Sequence, residues 1–102
     1  MRTNRPKARR ASKNVFRDLG FPAHQAEYLL VRSNLMVRLE GEIKARGLTL
    51  AAAASRLGVS QPRVSNLLGG RIELFSTDML IDMLARLGVR VRVVAAGRKK
   101  VA

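Results

Sequence analysis

The sequence predicts a mainly α-helical domain, a small bundle containing a helix-turn-helix, followed by one C-terminal strand. Three observations carry that expectation. Apolar residues recur at helical spacing through residues 23–46, 50–57, 61–68 and 77–87. A glycine follows each run, at Gly47, Gly58, Gly69 and Gly88, as helix C-termini favour. Hydrophobic residues make up 47% of the chain but aromatics only 4%. A core of Leu, Val, Ile, Ala and Met suits packed helices better than a β-sandwich. At 102 residues the chain amounts to one domain with tails. The expected division is a basic disordered tail over 1–13, a folded domain over 14–94, and a second basic tail over 95–102.

Residues 1–13 have almost no apolar content, and their positive charges repel one another. Val15, Phe16, Leu19 and Phe21 are too apolar for a free linker, so a short docked turn is expected there. The long helix 23–46 follows. Its Val31, Leu35, Leu39 and Ile43 recur every four residues, with Tyr28 and Met36 widening the stripe. Gly41 weakens its interior by about 1 kcal/mol against Ala, which points to close backbone packing. Thr49 is a good N-cap for the Ala-rich helix 50–57, and Ser60 for helix 61–68. Pro62 lies in a first turn, where the missing N–H costs nothing. Residues 71–75 form a connection. Ser76 then caps helix 77–87, whose buried face is Leu80, Ile81, Leu84 and Leu87. Asp78 suits the dipole of its first turn. Met36, Met79 and Met83 read as core filler.

The stretch Val89, Arg90, Val91, Arg92, Val93 alternates apolar and basic residues, which is a strand pattern with one valine face. A lone strand leaves its N–H and C=O groups unpaired, and the sequence offers no second convincing strand. Either the same strand of a second copy pairs with it across a two-fold axis, or the segment is a frayed extension. The first reading makes Val89, Val91 and Val93 dimerisation residues.

Charge narrows the function. Lys and Arg number 20 against 7 Asp and Glu, a net +13. Residues 1–20 hold seven basic residues and one acid, residues 95–102 three and none, and residues 21–94 ten and six. Such a balance implies a polyanion partner, whether DNA, RNA or an anionic membrane, unless the tails merely solubilise the chain. The absence of Cys excludes disulfides, Cys-ligated zinc and thiol catalysis. No apolar run reaches the ~18 residues of a membrane span, and the N-terminus lacks a signal peptide's apolar stretch. The expected location is the cytoplasm.

Residues 50–67 decide among the polyanions, because each fixed feature there has a steric reason. Two steeply crossing helices need a small residue at their contact, and Ala54 supplies it. The turn needs positive φ, and Gly58 supplies that. Leu57, Val59 and Val64 hold the pair on the core, extended by Ala53 and Leu67. Gln61, Pro62, Arg63, Ser65 and Asn66 are left on the exposed side of the second helix. Gln and Asn can each bond an adenine edge twice, Arg can bond guanine twice, and Pro and Ser can touch a thymine methyl or a phosphate. The helix N-termini at Thr49 and Ser60 favour phosphates, and Arg71 stands where a phosphate contact is expected. The pattern reads as a duplex-DNA-binding helix-turn-helix over 49–68.

Several pieces together resemble a known family. They are Leu19, Gly20, Phe21 and Pro22 before the long helix, and Arg46, Gly47, Leu48 and Thr49 entering the motif. The motif itself reads Leu-Gly-Val-Ser-Gln-Pro-Arg-Val-Ser over 57–65. Gly70, Arg71, Phe75, Ser76, Leu87, Gly88 and the valine-rich end complete the set. Over residues 16–94 the sequence resembles the Xre/Cro-type helix-turn-helix proteins, and within them the HigA-like antitoxins, whose partners are RelE-like ribonuclease toxins. The resemblance implies a lambda-repressor-like bundle and a homodimer on a palindromic operator. It also implies repression of the protein's own operon and neutralisation of the toxin by direct binding. It assigns Val15, Phe16, Leu19, Phe21 and Tyr28 to toxin contact. The family usually carries a Gln and a Glu in the first motif helix, where this chain has Leu50 and Ala52. In the family those two residues contact phosphate and bridge within the motif, so the departure is expected to weaken the first helix's phosphate contact, with the tail 1–13 compensating electrostatically.

Two other readings compete: a free-standing Xre-type regulator without a toxin, and a basic nucleic-acid-binding protein that ignores sequence. Binders of single-stranded RNA usually offer stacking aromatics, and none of this chain's three Phe and one Tyr lies in the motif helix. Enzyme chemistry has little support. His24 is the only His, Glu40 and Glu42 point to different helix faces, and Asp78 and Asp82 have helix-dipole and Arg86-pairing roles at hand. No phosphate-cradling loop occurs. Neither a cofactor nor a metal is expected.

Overall fold

A computed structural model describes residues 14–97. The expected tail 1–13 and residues 98–102 of the second tail lie outside the described residues. Helix α1 (Val15–Asp18) is a single turn capped by Asn14, whose side chain accepts from the Phe16 N–H. The Asn14 amide also donates to the Ala26 carbonyl at 3.1 Å, pinning the turn to the next helix. Phe16 and Phe21 meet edge to face, 6.0 Å between ring centres. The expected docked turn is therefore present.

Helix α2 (Ala23–Ala45) spans 23 residues and ends at Arg46 and Gly47, the glycine at φ +62°. Met36, Leu39 and Ile43 are buried and Leu35 packs beside them, but Tyr28 and Val31 are 42% and 49% exposed. The apolar stripe read from the sequence is thus a core face only in its C-terminal half. Ala26 is buried apart from the main cluster. The expected close packing at Gly41 does not occur, since nothing lies within 4 Å of a Cβ built there. On the solvent side Glu42 accepts from Arg38 at 2.9 Å and from Arg46 at 3.0 Å, and Lys44 pairs with Glu40. The Arg38 hydrogen bond leads the causes that hold the Glu42 carboxyl below its ordinary range. Such exposed pairs are worth a few tenths of a kcal/mol each, roughly.

Helices α3 (Leu50–Leu57) and α4 (Gln61–Leu68) fall at the expected boundaries. Their caps are local: Thr49 Oγ1 accepts from the Ala52 N–H at 3.1 Å, and Ser60 Oγ from the Arg63 N–H at 3.3 Å. Between them Gly58 adopts φ +71°. A side chain there would also meet the Arg86 guanidinium at 2.9 Å. A short 3-10 turn over Ile72–Leu74, not foreseen in the sequence, leads to α5 (Thr77–Arg86), which Ser76 caps through the Met79 N–H. Ala53, Ala54, Leu57, Val64, Leu67, Phe75, Leu80, Met83, Leu84 and Leu87 complete one core with the buried end of α2. Met36 and Met83 are buried in this core and Met79 packs against it half-buried, in keeping with the filler role read for all three.

The predicted C-terminal strand is a correction. Among the described residues there is no strand. Val89 donates its N–H to the Leu84 carbonyl, and Val89 and Val91 pack against the core. Val93 and Val94 are more than 80% exposed. The physical reason is that a strand needs a neighbouring backbone to complete its ladder, and this chain brings none alongside.

Candidate nucleic-acid interface

The α3–α4 pair is set by contacts among small and branched residues. Ala53, Ala54 and Leu57 of α3, and Val64 and Leu67 of α4, are each at most 7% exposed. Val59 in the turn packs partly against them. These residues lie on one side of each helix, so the other side of α4 must face outward. Gln61, Pro62 and Ser65 are exposed there, and Asn66 is half-buried. An amide, a pyrrolidine ring and a hydroxyl are thus presented on a rigid helix, the residue types that read base edges in a major groove.

Arg63 lies elsewhere. Its Nη2 donates to the Leu74 carbonyl at 3.1 Å and lies 3.5 Å from Met79 Sδ. Its guanidinium carbon sits 4.6 Å from the centre of the Phe75 ring. The side chain runs back to the connection after α4 and is half-buried. Sequence reasoning missed this partnership because Phe75 follows Arg63 by twelve residues, across a helix end and a turn, with no periodic signal joining them.

The rim of the site is basic and capped. Arg71, just beyond α4, is more than half exposed, and its Nε lies 2.7 Å from Glu73 Oε2. That hydrogen bond is the first cause lowering the Glu73 carboxyl below its usual range. Glu73 is a second residue the sequence did not single out. Thr49 and Ser60 use their hydroxyls as caps, so what they offer a phosphate is the helix start rather than a free side chain. At α3 the first N–H groups, those of Leu50 and Ala51, have no carbonyl within the helix to bond, and an anion fits there. The Leu50 side chain at the same end is 43% exposed and apolar.

The remaining expected site residues fall into two places. Val15, Leu19, Phe21 and Tyr28 are exposed on the α1–α2 corner, while Phe16 is half-buried beneath them. Val89 and Val91 line an open groove of about 650 Å³ with Val31, Leu35, Arg38 and Ile81. No helix of the described residues is long and apolar enough to cross a membrane.

A pair of short helices joined through the left-handed Gly58 and seated on a bundle, with an exposed polar second helix, defines a DNA-binding helix-turn-helix protein. The helix-turn-helix domain family model matches residues 15–96, and the chain belongs to that family. It is similar to a solved structure described as an XRE family transcriptional regulator, at 35% identity and a TM-score of 0.69. That match covers 76% of this chain and 90% of the other. Among curated proteins no match is found.

Proposed function

We propose that the protein is a dimeric, sequence-specific transcriptional repressor, and the antitoxin of a pair whose other member is a RelE-like ribonuclease toxin. It acts in the cytoplasm, represses its own operon and binds the toxin directly. The observation that carries the DNA-binding half is the outward face of α4, where Gln61, Pro62 and Ser65 stand exposed on a helix held by a buried core. These side chains, with Asn66, read the bases. Arg71 and the starts of α3 and α4 hold phosphates. The two-fold symmetry of a homodimer formed through residues 89–94 matches a palindromic operator, with half-sites about 34–36 Å apart.

The antitoxin half rests on the family resemblance and on a surface that DNA reading leaves unused. Val15, Leu19, Phe21, Tyr28 and Val31 expose 47%, 68%, 40%, 42% and 49% of their areas on a corner built by α1 and the start of α2. Clustered exposed apolar side chains mark a protein-contact surface. A free-standing regulator would leave that corner uncovered.

Footprinting on the DNA immediately upstream of the protein's own gene, with random duplex as competitor, tests the first half. A protected palindrome is the expected result. A featureless smear that random duplex displaces equally would favour a non-specific nucleic-acid binder. Co-expression with the adjacent reading frame tests the second half. Copurification that Leu19→Ser and Tyr28→Ser abolish, with DNA binding intact, is expected. No complex with that product would leave a regulator without a toxin.

A further inference from the structure

We propose that Arg32 is the charged anchor of the α1–α2 corner, and that the protein covering this corner lays an Asp or Glu carboxylate, carried on an apolar segment, against its guanidinium. This rests on the toxin-binding reading above and goes beyond it by naming the partner's chemistry and the residue that selects it.

The helix sets the position of Arg32. It lies four residues after Tyr28 and four before Met36, so it stands on the same stripe of α2 as the buried Met36, Leu39 and Ile43. The stripe calls for an apolar residue there. The cation falls where the stripe passes from the half that the bundle covers to the half left open, with Met36 6% exposed and Tyr28 42%.

Nothing around Arg32 among the described residues satisfies it. The residue is half-buried, and its Nε is the one buried side-chain nitrogen or oxygen of the described residues without a hydrogen-bond partner. The guanidinium carbon sits 5.4 Å from the centre of the Tyr28 ring. The ring attracts the charge but leaves Nε without an acceptor. No ion pair of the described residues engages Arg32. Arginines such as Arg56 and Arg90 also lack a carboxylate, but they are exposed and water serves them. A buried donor with no acceptor costs free energy, and a partly desolvated cation costs more. A contact that brings an acceptor to Arg32 removes that cost as it forms.

The chemistry of the acceptor follows from shape and charge. The planar guanidinium matches a group with two parallel oxygens, a carboxylate or a phosphate. Charge decides between them. Residues 14–36 hold two basic residues, Arg17 and Arg32, and two acidic ones, Asp18 and Glu27, in a chain of net +13. An arm without net charge exerts little pull on a polyanion. Exposed apolar side chains beside one unpaired arginine and a tyrosine are instead the composition of a protein interface, where Arg and Tyr serve as anchors.

Arg32→Met keeps the length of the side chain and removes the charge, and Arg32→Lys keeps the charge and removes the fork. Both are made in the full-length chain beside Leu19→Ser. Each is read by thermal melting of the free chain, by titration with the product of the adjacent reading frame, and by binding to the upstream DNA. The expected Arg32→Met chain melts no lower than the unaltered one, because an unsatisfied cation has been replaced by an apolar group. Its complex is weaker by roughly thirty-fold or more, the Arg32→Lys complex by less, and DNA binding is unchanged. A complex that Leu19→Ser breaks and Arg32→Met leaves intact overturns the anchor and leaves the antitoxin reading standing. A lower melting temperature for Arg32→Met shows that the chain itself satisfies Arg32, and overturns the anchor in the same way. Weaker DNA binding by Arg32→Met assigns the cation to phosphate and overturns the carboxylate. No complex with the unaltered chain overturns both the anchor and the antitoxin reading.

Discussion

The Arg63 guanidinium lies 4.6 Å from the centre of the Phe75 ring while its Nη2 donates to the Leu74 carbonyl. A cation on the motif's second helix is thereby tied to the connection that follows it. The interaction braces α4 against the start of α5 and fixes the angle at which Gln61 and Ser65 face outward. Replacing Arg63 by Ala removes the cation–π contact and the charged hydrogen bond, for a loss of about 2 kcal/mol. Lys at this position cannot reproduce the flat, forked donor and is expected to recover less than half of that. Urea denaturation measures both. A loss below about 0.5 kcal/mol for the Ala variant would mean the brace contributes no more than an ordinary surface pair.

Gln61 is exposed at the first position of α4 and has no structural partner to lose. Gln61→Ala is expected to leave stability unchanged and to weaken binding to the operator by about 1–3 kcal/mol. Binding to random duplex should change little. Competition titrations with both DNAs separate the two effects, and equal losses on each would remove Gln61 from base reading.

At the proposed DNA interface, Glu73 competes with phosphate for Arg71. The two groups are 2.7 Å apart and both exposed, so the pair opens at small cost, while the carboxylate stays near any phosphate that Arg71 holds. Glu73→Gln is expected to tighten binding to any duplex by about two- to five-fold. The slope of log K against log salt should steepen by about 1. Because Arg71 holds the Glu73 carboxyl below its ordinary range, Glu73 stays ionised throughout roughly pH 6–8. The gain should therefore be the same across that window. Unaltered affinity and slope would show that Arg71 is not at the DNA surface.

Gly41 sits inside α2 with nothing within 4 Å of the place a Cβ would take. Gly41→Ala removes backbone freedom from the unfolded chain without a clash, so it is expected to stabilise the fold by about 0.5–1 kcal/mol. For a domain of this size that corresponds to a rise in Tm of about 2–8 °C. A fall in Tm would mean that a partner approaches the helix closely at this point.

What the sequence determined by itself is what short-range chemistry controls. The bounds of α3 and α4, the caps at Thr49, Ser60 and Ser76, and the left-handed Gly58 all depend on residues within about four positions of one another. They could be read directly, and with them the presence of a helix-turn-helix. Tertiary structure decided what depends on distant neighbours. The stripe on α2 runs its full length, but the bundle covers only the half bearing Met36, Leu39 and Ile43. Tyr28 and Val31 were left to solvent because α2 has 23 residues while its core partners α3, α4 and α5 have 8, 8 and 10. Arg63 reads as a base contact by its position on the helix. The fold adds what its position could not show, the Phe75 ring and the Leu74 carbonyl that its guanidinium meets. The valine alternation beyond Gly88 described a strand correctly as a pattern, yet a pattern supplies side chains and not a second backbone, and without one the ladder does not form.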